Sequence, residues 1–251
     1  MVNLALPILF GILGLIVGSF LNVVIYRVPN GLSIIWPRSH CQNCGCVLNV
    51  WELIPVLSFL YLRGRCRNCK KPLSWRYPGV EILTCILFIL VFFFRTGRTP
   101  IGILLDFTFI ALLLCLSFID IDSFKLPNVL VGLVTLIGLA NALFVGKPSF
   151  LDSLIGALSA GGLFLLIYFY YPEGMGFGDV KFIAAIGFYL GYKAIFASIF
   201  IASLLGFILE GIRILIGRKS LKQPIPFGPY LAAGGLILLF FENHIDNFLF
   251  F

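Results

Sequence analysis

Two short stretches of the chain place an aspartate where an apolar run meets a short polar segment. The first is Phe118–Asp122, with the sequence FIDID, and the second is Gly176–Lys181, with the sequence GFGDVK. A charged group inside hydrocarbon costs about 3 kcal/mol or more, so a carboxylate at such a border indicates a functional site. Two facing carboxylates can share a proton, so that one acts as a base toward water and the other as an acid toward a carbonyl. The pair therefore predicts an aspartyl protease that cuts its substrate at a membrane surface.

Helix geometry limits which aspartates can face a common centre. Asp120 and Asp122 are two positions apart, about 200° around a helix, so only one of them can face Asp179. Asp120 is closer to the apolar run and is the predicted partner, whereas Asp122 is expected to face water or to cap the turn before Pro127. Alternatively, Asp179 is the N-cap of a helix that follows a flexible glycine-rich loop. Acid and base are not assigned, because a coupled pair titrates as a unit.

The composition indicates that membrane helices position these carboxylates. Of the 251 residues, 60% are hydrophobic and 12% are charged, about half the charged fraction of a typical soluble protein. Long apolar runs, rather than short alternating segments, argue against a β-barrel. We predict an all-α polytopic membrane protein with about eight transmembrane helices. The predicted spans are 4–26, 79–95, 100–119, 128–145, 151–171, 180–191, 194–216 and 228–243.

The distribution of Lys and Arg predicts the orientation of these spans. Fourteen of the eighteen basic residues fall in segments that share one side with both aspartate motifs. The remaining four are Arg95, Arg98, Lys147 and Lys193. Because basic loops stay in the cytoplasm, both motifs are predicted at the cytoplasmic face and both chain ends outside. The net charge of +7 is then a topology signal, and no nucleic-acid partner is expected.

Residues 27–78 form the only sizeable predicted non-membrane segment, a cytoplasmic insert between the first and second spans. It contains two CxxC pairs, formed by Cys41, Cys44, Cys66 and Cys69. This spacing is typical of a four-thiolate zinc site, which would be structural because a closed set of four thiolates leaves no open position. Zinc would also stabilise a segment too short to bury a strong core. The alternative is two disulfides or four free thiols, although the cytoplasm disfavours disulfides.

Two further potential ligands lie next to the first CxxC pair. His40 and Cys46 flank it, and both are expected to be bystanders. The chain then divides into a first transmembrane helix (1–26), a zinc-binding insert (27–78) and a membrane-embedded aspartyl peptidase core (79–251).

Five stretches of the sequence resemble the type IV prepilin peptidase family. They are Gly18–Pro29, the two CxxC pairs with Trp51–Pro55 between them, Phe118–Pro127, Gly174–Lys181 and Pro226–Ala232. They keep the family's order and span nearly the whole chain. The resemblance implies that Asp120 and Asp179 are the catalytic pair. Asn128 stands where family members commonly have aspartate, but it lies outside that pair.

The resemblance also implies two activities in the bacterial cytoplasmic (inner) membrane. Members of this family cut the short basic leader from prepilins or pseudopilins, after a glycine and just before the hydrophobic helix. They then methylate the new N-terminus with S-adenosylmethionine. The family places methyl transfer with the cytoplasmic insert, although the sequence contains no glycine fingerprint of a nucleotide-binding fold. The implied partners are prepilins or pseudopilins and the lipid bilayer.

Two other functions compete with this one. An ion- or proton-coupled transporter could use Asp106, Asp120, Asp179 and Glu210 as a path through the membrane. Asp106 and Glu210 could equally pair with polar groups. A transporter favours internal repeats, and the sequence shows none. The other competing hypothesis is a zinc-anchored membrane scaffold without catalytic activity, but a scaffold does not need two carboxylates at the same membrane face.

Overall fold

The structure, a computed structural model, describes residues 5–217 and 223–248, with residues 242–248 described by backbone alone. Within these ranges it contains helices, turns and two isolated β-bridges but no strand, so the predicted all-α class is confirmed. The helices are α1 (Ala5–Arg27), α2 (Leu57–Tyr61), α3 (Arg76–Phe94), α4 (Pro100–Ser123), α5 (Asn128–Ala140), α6 (Phe150–Tyr170), α7 (Phe177–Leu190), α8 (Tyr192–Leu215) and α9 (Gly228–Phe248). Four residues used in the predictions lie outside the described ranges. They are Leu4, in the first predicted span, and three of the basic residues that predict the orientation, Arg218, Lys219 and Lys222.

A helix lies at each of the eight predicted spans, but the helices differ in length. Within the described ranges, six are long and apolar enough to cross a membrane: α1, α3, α4, α5 with its π-helical extension to Val145, α6 and α8. By contrast, α7 has 14 residues, and the apolar part of α9, Gly228–Phe241, is also shorter than a full span. Eight crossings therefore remain a prediction, whereas a multi-pass membrane protein follows from the six long helices.

Local signals explain where α4, the helix that carries Asp120, begins and ends. The Thr99 hydroxyl caps its N-terminus by accepting the Gly102 N–H, and Pro100 occupies the first helical position, where proline is favoured. At the other end, Phe124 adopts a left-handed conformation with φ 53°. Pro127 follows and is the N-cap residue of α5. Asp120 is thereby fixed in the last turn of a well-defined helix.

The chain forms two compact units, divided between Thr96 and Gly97. In the first unit, α1 packs along α3. A Cβ at Gly14 would lie 2.7 Å from the Cα of Cys85, and one at Gly18 would lie 2.7 Å from the Cα of Glu81. The two glycines thus allow the helix backbones to touch, as small residues do between membrane helices. The first unit includes α3, whereas the predicted division assigned residues 79–251 to the peptidase core. The compact units therefore do not coincide with the predicted division into helix, insert and core, which remains a prediction.

The second unit contains α4 to α9 and holds both aspartate motifs. Gly156 of α6 and Gly187 of α7 allow another close crossing, since a Cβ on either would lie 2.6 Å from the other residue's carbonyl oxygen. Helix α7 also packs against α5, while α9 packs against α4, α7 and α8. The C-terminal end of α4 and the N-terminal ends of α7 and α9 carry the residues of the candidate site.

Candidate functional site

Asp120 is buried and held by a backbone donor. Its side chain is 5% exposed, and its Oδ2 accepts a hydrogen bond of 2.9 Å from the N–H of Gly228. Gly228 is the first residue of α9, where backbone N–H groups lack helical partners and the helix dipole favours an anion. A Cβ at position 228 would lie 2.8 Å from Oδ2. A side chain at position 228 would therefore have to displace the Asp120 carboxylate.

Asp179 lies in the first turn of α7 rather than at its N-cap. The N-cap residue is Gly176, whose carbonyl accepts the Asp179 N–H at 3.0 Å. The structure thus does not support the alternative of an N-cap aspartate. Asp179 is 9% exposed. Gly178, just before it, faces Leu126 closely, since a Cβ there would lie 3.2 Å from the Leu126 Cβ, which places the start of α7 beside the segment that follows α4.

The structure brings the two predicted carboxylates together within one unit. Both are buried, and the Asp120 charge lies close enough to interact with Asp179. Asp122, two positions after Asp120, is exposed. Asp120 is thus the buried aspartate of the FIDID stretch, and its charge, unlike that of the exposed Asp122, lies close enough to interact with Asp179.

The other buried acids of the second unit have charged partners. Asp106 is fully buried and contacts Arg98 at 3.0 Å and the Tyr189 hydroxyl at 2.6 Å. Glu210 accepts hydrogen bonds from Arg213, at 3.0 Å, and from the Tyr230 hydroxyl. Of the two possibilities for Asp106 and Glu210, pairing with polar groups is the one observed. A path that requires both as free carboxylates gains no support from this arrangement.

The four cysteines of the insert form a cluster in the first unit. Their sulfur atoms all lie within 4.8 Å of one another, and the Cys41 and Cys69 sulfurs are 3.9 Å apart, too far for a disulfide. Tetrahedral zinc with Zn–S bonds of about 2.3 Å places its sulfurs about 3.8 Å apart, so the donor set fits such an ion. This cluster is a candidate metal centre, and its four sulfurs would fill all four positions around a tetrahedral ion.

The two CxxC turns have the same local design. The Gly45 N–H donates to the Cys41 carbonyl at 2.8 Å, and the Lys70 N–H donates to the Cys66 carbonyl at 3.0 Å. Both Gly45 and Lys70 have positive φ, at 69° and 58°. Isolated antiparallel bridges close the two turns, between His40 and Val47 and between Arg65 and Pro72.

Backbone donors in these turns favour thiolates. N–H groups of Cys69 and Asn68 point at the Cys66 sulfur and lower the pKa of this thiol to about 7. The Cys46 N–H likewise lowers the pKa of Cys44. Metal ligands of this type bind as thiolates. The Cys46 sulfur contacts the Val47 carbonyl instead, and His40 hydrogen-bonds with the Arg38 carbonyl, so neither residue joins the cluster.

Comparison with known proteins identifies the family. Residues 12–94 match the profile of the bacterial peptidase A24 N-terminal domain, and residues 107–210 match that of the type IV leader peptidase family. A prepilin leader peptidase/N-methyltransferase of Bacillus subtilis (strain 168) is 37% identical over 249 residues, 97% of each chain. The chain belongs to the type IV leader peptidase family. The family predicted from the sequence is therefore confirmed.

Other relatives of this leader peptidase family member carry the same name. The prepilin leader peptidase/N-methyltransferase of Burkholderia pseudomallei (strain 1026b) is 36% identical, covering 92% of this chain and 84% of its own. That of Pseudomonas aeruginosa is 35% identical, covering 94% of this chain and 90% of its own. No solved structure matches the chain significantly.

Gly228 contributes to the site of this leader peptidase family member, although its residue type predicts no chemical role. Gly228 lies in the stretch Pro226–Ala232, which carries part of the resemblance but contains no acid, base or nucleophile. Its contribution is a backbone N–H, which every residue except proline has. The only feature of the sequence that could have indicated Gly228 is its position at the start of an apolar run, directly before Pro229. Only the packing of α9 against α4 shows that this N–H reaches Asp120.

Proposed function

We propose that this protein cleaves the leader peptide of type IV prepilins or pseudopilins, with Asp120 and Asp179 as the catalytic pair. The observation that carries the proposal is the approach of two buried carboxylates, one from the last turn of α4 and one from the first turn of α7. The relatives named as prepilin leader peptidases support the substrate class. The proposed enzyme is a GxGD-type aspartyl endopeptidase, named after the segment that ends in Asp179.

The proposed chemistry is general acid–base hydrolysis without a covalent intermediate. One carboxylate removes a proton from water, whose oxygen bonds to the scissile carbonyl carbon, while the other carboxyl group donates a hydrogen bond or a proton to the carbonyl oxygen. The carbon–nitrogen bond then breaks, and the leaving amine takes up a proton. The Gly228 N–H fixes the Asp120 side chain in place, which is the positioning that such a reaction needs.

The glycines before Asp179 suit an extended substrate. Gly174, Gly176 and Gly178 alternate along the segment, and glycine allows a second backbone to approach closely. The excess of Lys and Arg on the side of both motifs supports a cytoplasmic position for the site and for the insert. The proposed location is the bacterial cytoplasmic membrane.

The second proposed activity is methylation of the new N-terminus. S-adenosylmethionine supplies a methyl group bonded to a positively charged sulfur. The methyl group moves to the uncharged amine nitrogen, the nitrogen loses a proton, and a neutral thioether is released. The names of the relatives support this activity. A zinc ion on the four cysteines would be structural, because it would leave no open position for chemistry.

Intact mass of a substrate tests the proposal as a whole. A candidate prepilin is co-expressed with this protein in a host that lacks its own leader peptidase, and its N-terminal peptide is measured by mass spectrometry. The expected result is loss of the leader and a gain of one methyl group. An intact leader on every prepilin tested, with the protein present in the membrane, would overturn the proposed function.

A further inference from the structure

The first unit contains a cavity of about 370 Å³ that the leader-cleavage chemistry does not use. It lies where the C-terminal part of α1 and the N-terminal part of α3 meet the cysteine-containing segment. Side chains on its wall include Ser19, Asn22, Ser58, Tyr77 and Glu81. Its volume falls in the range of about 300–1,000 Å³ that is usual for small-molecule sites.

Glu81 is a buried carboxylate on this wall without a cationic partner. It is 7% exposed, its Oε2 accepts the Val56 N–H at 2.7 Å, and its other hydrogen-bond partner is the Ser19 side chain. Both partners are neutral, and no ion pair to Glu81 is present among the residues that the structure describes. Leaving a buried charge without a counter-charge is costly. The cavity wall is therefore suited to a cation.

The other charged groups on the wall are already engaged. Glu52 pairs with Arg67 at 3.6 Å. The Arg27 guanidinium donates to the carbonyls of Ser33 and Pro37, at 2.9 and 2.6 Å. Among the charged groups that the structure describes on this wall, Glu81 is therefore the one whose charge a ligand could balance.

Asn22 adds an unused acceptor to the same wall. Its Nδ2 donates to the carbonyls of Gly18 and Tyr77, at 3.3 and 3.1 Å. Its Oδ1 is buried and has no hydrogen-bond partner in the structure, although the residue is only 6% exposed. A buried acceptor of this kind is rare in a native protein unless a ligand or water completes it. The Asn22 Oδ1 thus lacks a hydrogen-bond donor, and the Glu81 carboxylate lacks a positive counter-charge among the described residues.

The backbone that Glu81 holds is itself strained. Val56 has φ 59° and ψ −50°, a conformation that a β-branched residue avoids. Strain of this kind concentrates at binding and catalytic sites. The Glu81 carboxylate therefore links an unusual loop conformation to the cavity wall.

We propose that this cavity binds the S-adenosyl methyl donor, with the Glu81 carboxylate balancing its sulfonium charge and the Asn22 Oδ1 accepting one of its N–H groups. This inference rests on the proposed methyl-transfer function and assigns it a place. The donor matches the wall because it carries a permanent positive charge on sulfur, which neither water nor a neutral metabolite supplies. The cleavage pair lies in the other unit, so the two chemistries use different residues.

Direct binding of the donor tests the role of Glu81. Purified full-length protein in detergent is dialysed against radiolabelled S-adenosylmethionine, and the Kd of wild type is compared with that of Glu81→Gln. Gln keeps the size and an acceptor for the Val56 N–H but removes the charge. We expect the donor Kd to rise at least about tenfold. The Kd of S-adenosylhomocysteine, the neutral thioether, is expected to change by less than about threefold.

Two neighbouring substitutions test the cavity itself. Ser58 lies on the wall, whereas the adjacent Leu57 is 65% exposed and lies outside the cavity lining. Ser58→Phe fills the cavity and is expected to abolish donor binding. Leu57→Phe, at the next position of the same short helix, is the matched control and is expected to bind the donor as wild type does. The zinc content of each variant reports whether the cysteine-containing segment is folded, and leader cleavage reports whether the second unit is folded.

Each outcome either supports or overturns the assignment. Unchanged donor binding in Glu81→Gln and Ser58→Phe, with methylation by wild type intact, would place the donor elsewhere while the proposed function stands. If Glu81→Gln lost affinity equally for S-adenosylmethionine and S-adenosylhomocysteine, Glu81 would not act on the sulfonium charge, and its proposed role would be overturned. A raised KM for cleaved prepilin with unchanged donor Kd would assign Glu81 to the substrate ammonium instead. Failure of wild type to methylate cleaved prepilin would refute the proposed second activity itself.

Discussion

At the scale of single residues, the partners of each buried carboxylate separate structural acids from candidate catalytic ones. Asp106 and Glu210 each contact an arginine and a tyrosine hydroxyl. Asp120 instead accepts a backbone N–H and its charge lies close to Asp179, and neither acid has an ion pair among the residues that the structure describes. A buried acid that is already neutralised stabilises the fold, whereas two acids without cations can exchange protons with a substrate.

Asp106→Asn tests this distinction. Asn keeps an acceptor for the Tyr189 hydroxyl but leaves Arg98 without its counter-charge, so we expect a loss of about 1.5–3 kcal/mol of stability. Thermal unfolding in detergent should show a lower Tm, while leader cleavage per folded molecule stays within about threefold of wild type. An unchanged Tm together with lost cleavage would move Asp106 into the chemistry.

At the scale of elements, the N-terminus of α9 completes the site at the end of α4. The substitution Gly228→Ala tests this, because its Cβ would lie 2.8 Å from the Asp120 Oδ2 and must displace the carboxylate. A displacement of about 1 Å can reduce a rate about 10²-fold, and we expect a loss of that order in leader cleavage. Gly162→Ala in α6 is the matched control, since nothing lies within 4 Å of its Cβ. Equal activity of the two variants would remove α9 from the site.

The CxxC turns are the second element with a testable role. We expect purified protein to contain about one zinc per chain, and elemental analysis measures it directly. Cys41→Ser combined with Cys44→Ser should remove the metal, because the remaining pair cannot complete a tetrahedral site. Cys46→Ser should leave the zinc content unchanged, since the Cys46 sulfur lies outside the cluster. Protein prepared without chelator that contains no metal would refute the zinc assignment.

At the scale of the whole molecule, the sequence predicts what local patterns determine. Long apolar runs give six helices of membrane-spanning length, and CxxC spacing anticipates the four clustered sulfurs. The short helix α7 is harder to classify, because most of its residues are buried by protein and its length need not match a bilayer. Hydrogen bonds between distant residues that carry no motif of their own could not be predicted from the sequence. Tyr189 reaches Asp106 across 83 positions and Gly228 reaches Asp120 across 108.

The two proposed activities use residues from different compact units. The cysteine cluster and the cavity belong to the first unit, and the aspartate pair belongs to the second. We therefore expect Cys41→Ser with Cys44→Ser to impair N-methylation more than leader cleavage, because loss of zinc loosens the insert without touching the aspartates. Asp179→Asn should still methylate a prepilin supplied already cleaved. Parallel assays of both activities on each variant measure this.

The opposite pattern would contradict this division. If cleavage collapsed in the cysteine double variant while methylation survived, the insert would serve substrate recognition for the peptidase. The methyl-transfer site would then have to be sought outside it.

The central claim is that Asp120 and Asp179 together cleave the leader. Aspartate-to-asparagine substitutions, which replace one carboxylate oxygen by an amide NH2 group, test it most directly. Purified Asp120→Asn, Asp179→Asn and Asp122→Asn are incubated with one prepilin, and leader release is followed by mass spectrometry. Asn keeps the size but cannot act as acid or base, so we expect losses of about 10²–10⁴-fold at positions 120 and 179. Asp122→Asn, which changes an exposed carboxylate two positions from Asp120, should remain close to wild type. Near-normal cleavage by either of the first two variants, or an equal loss in Asp122→Asn, would contradict the assignment of this pair.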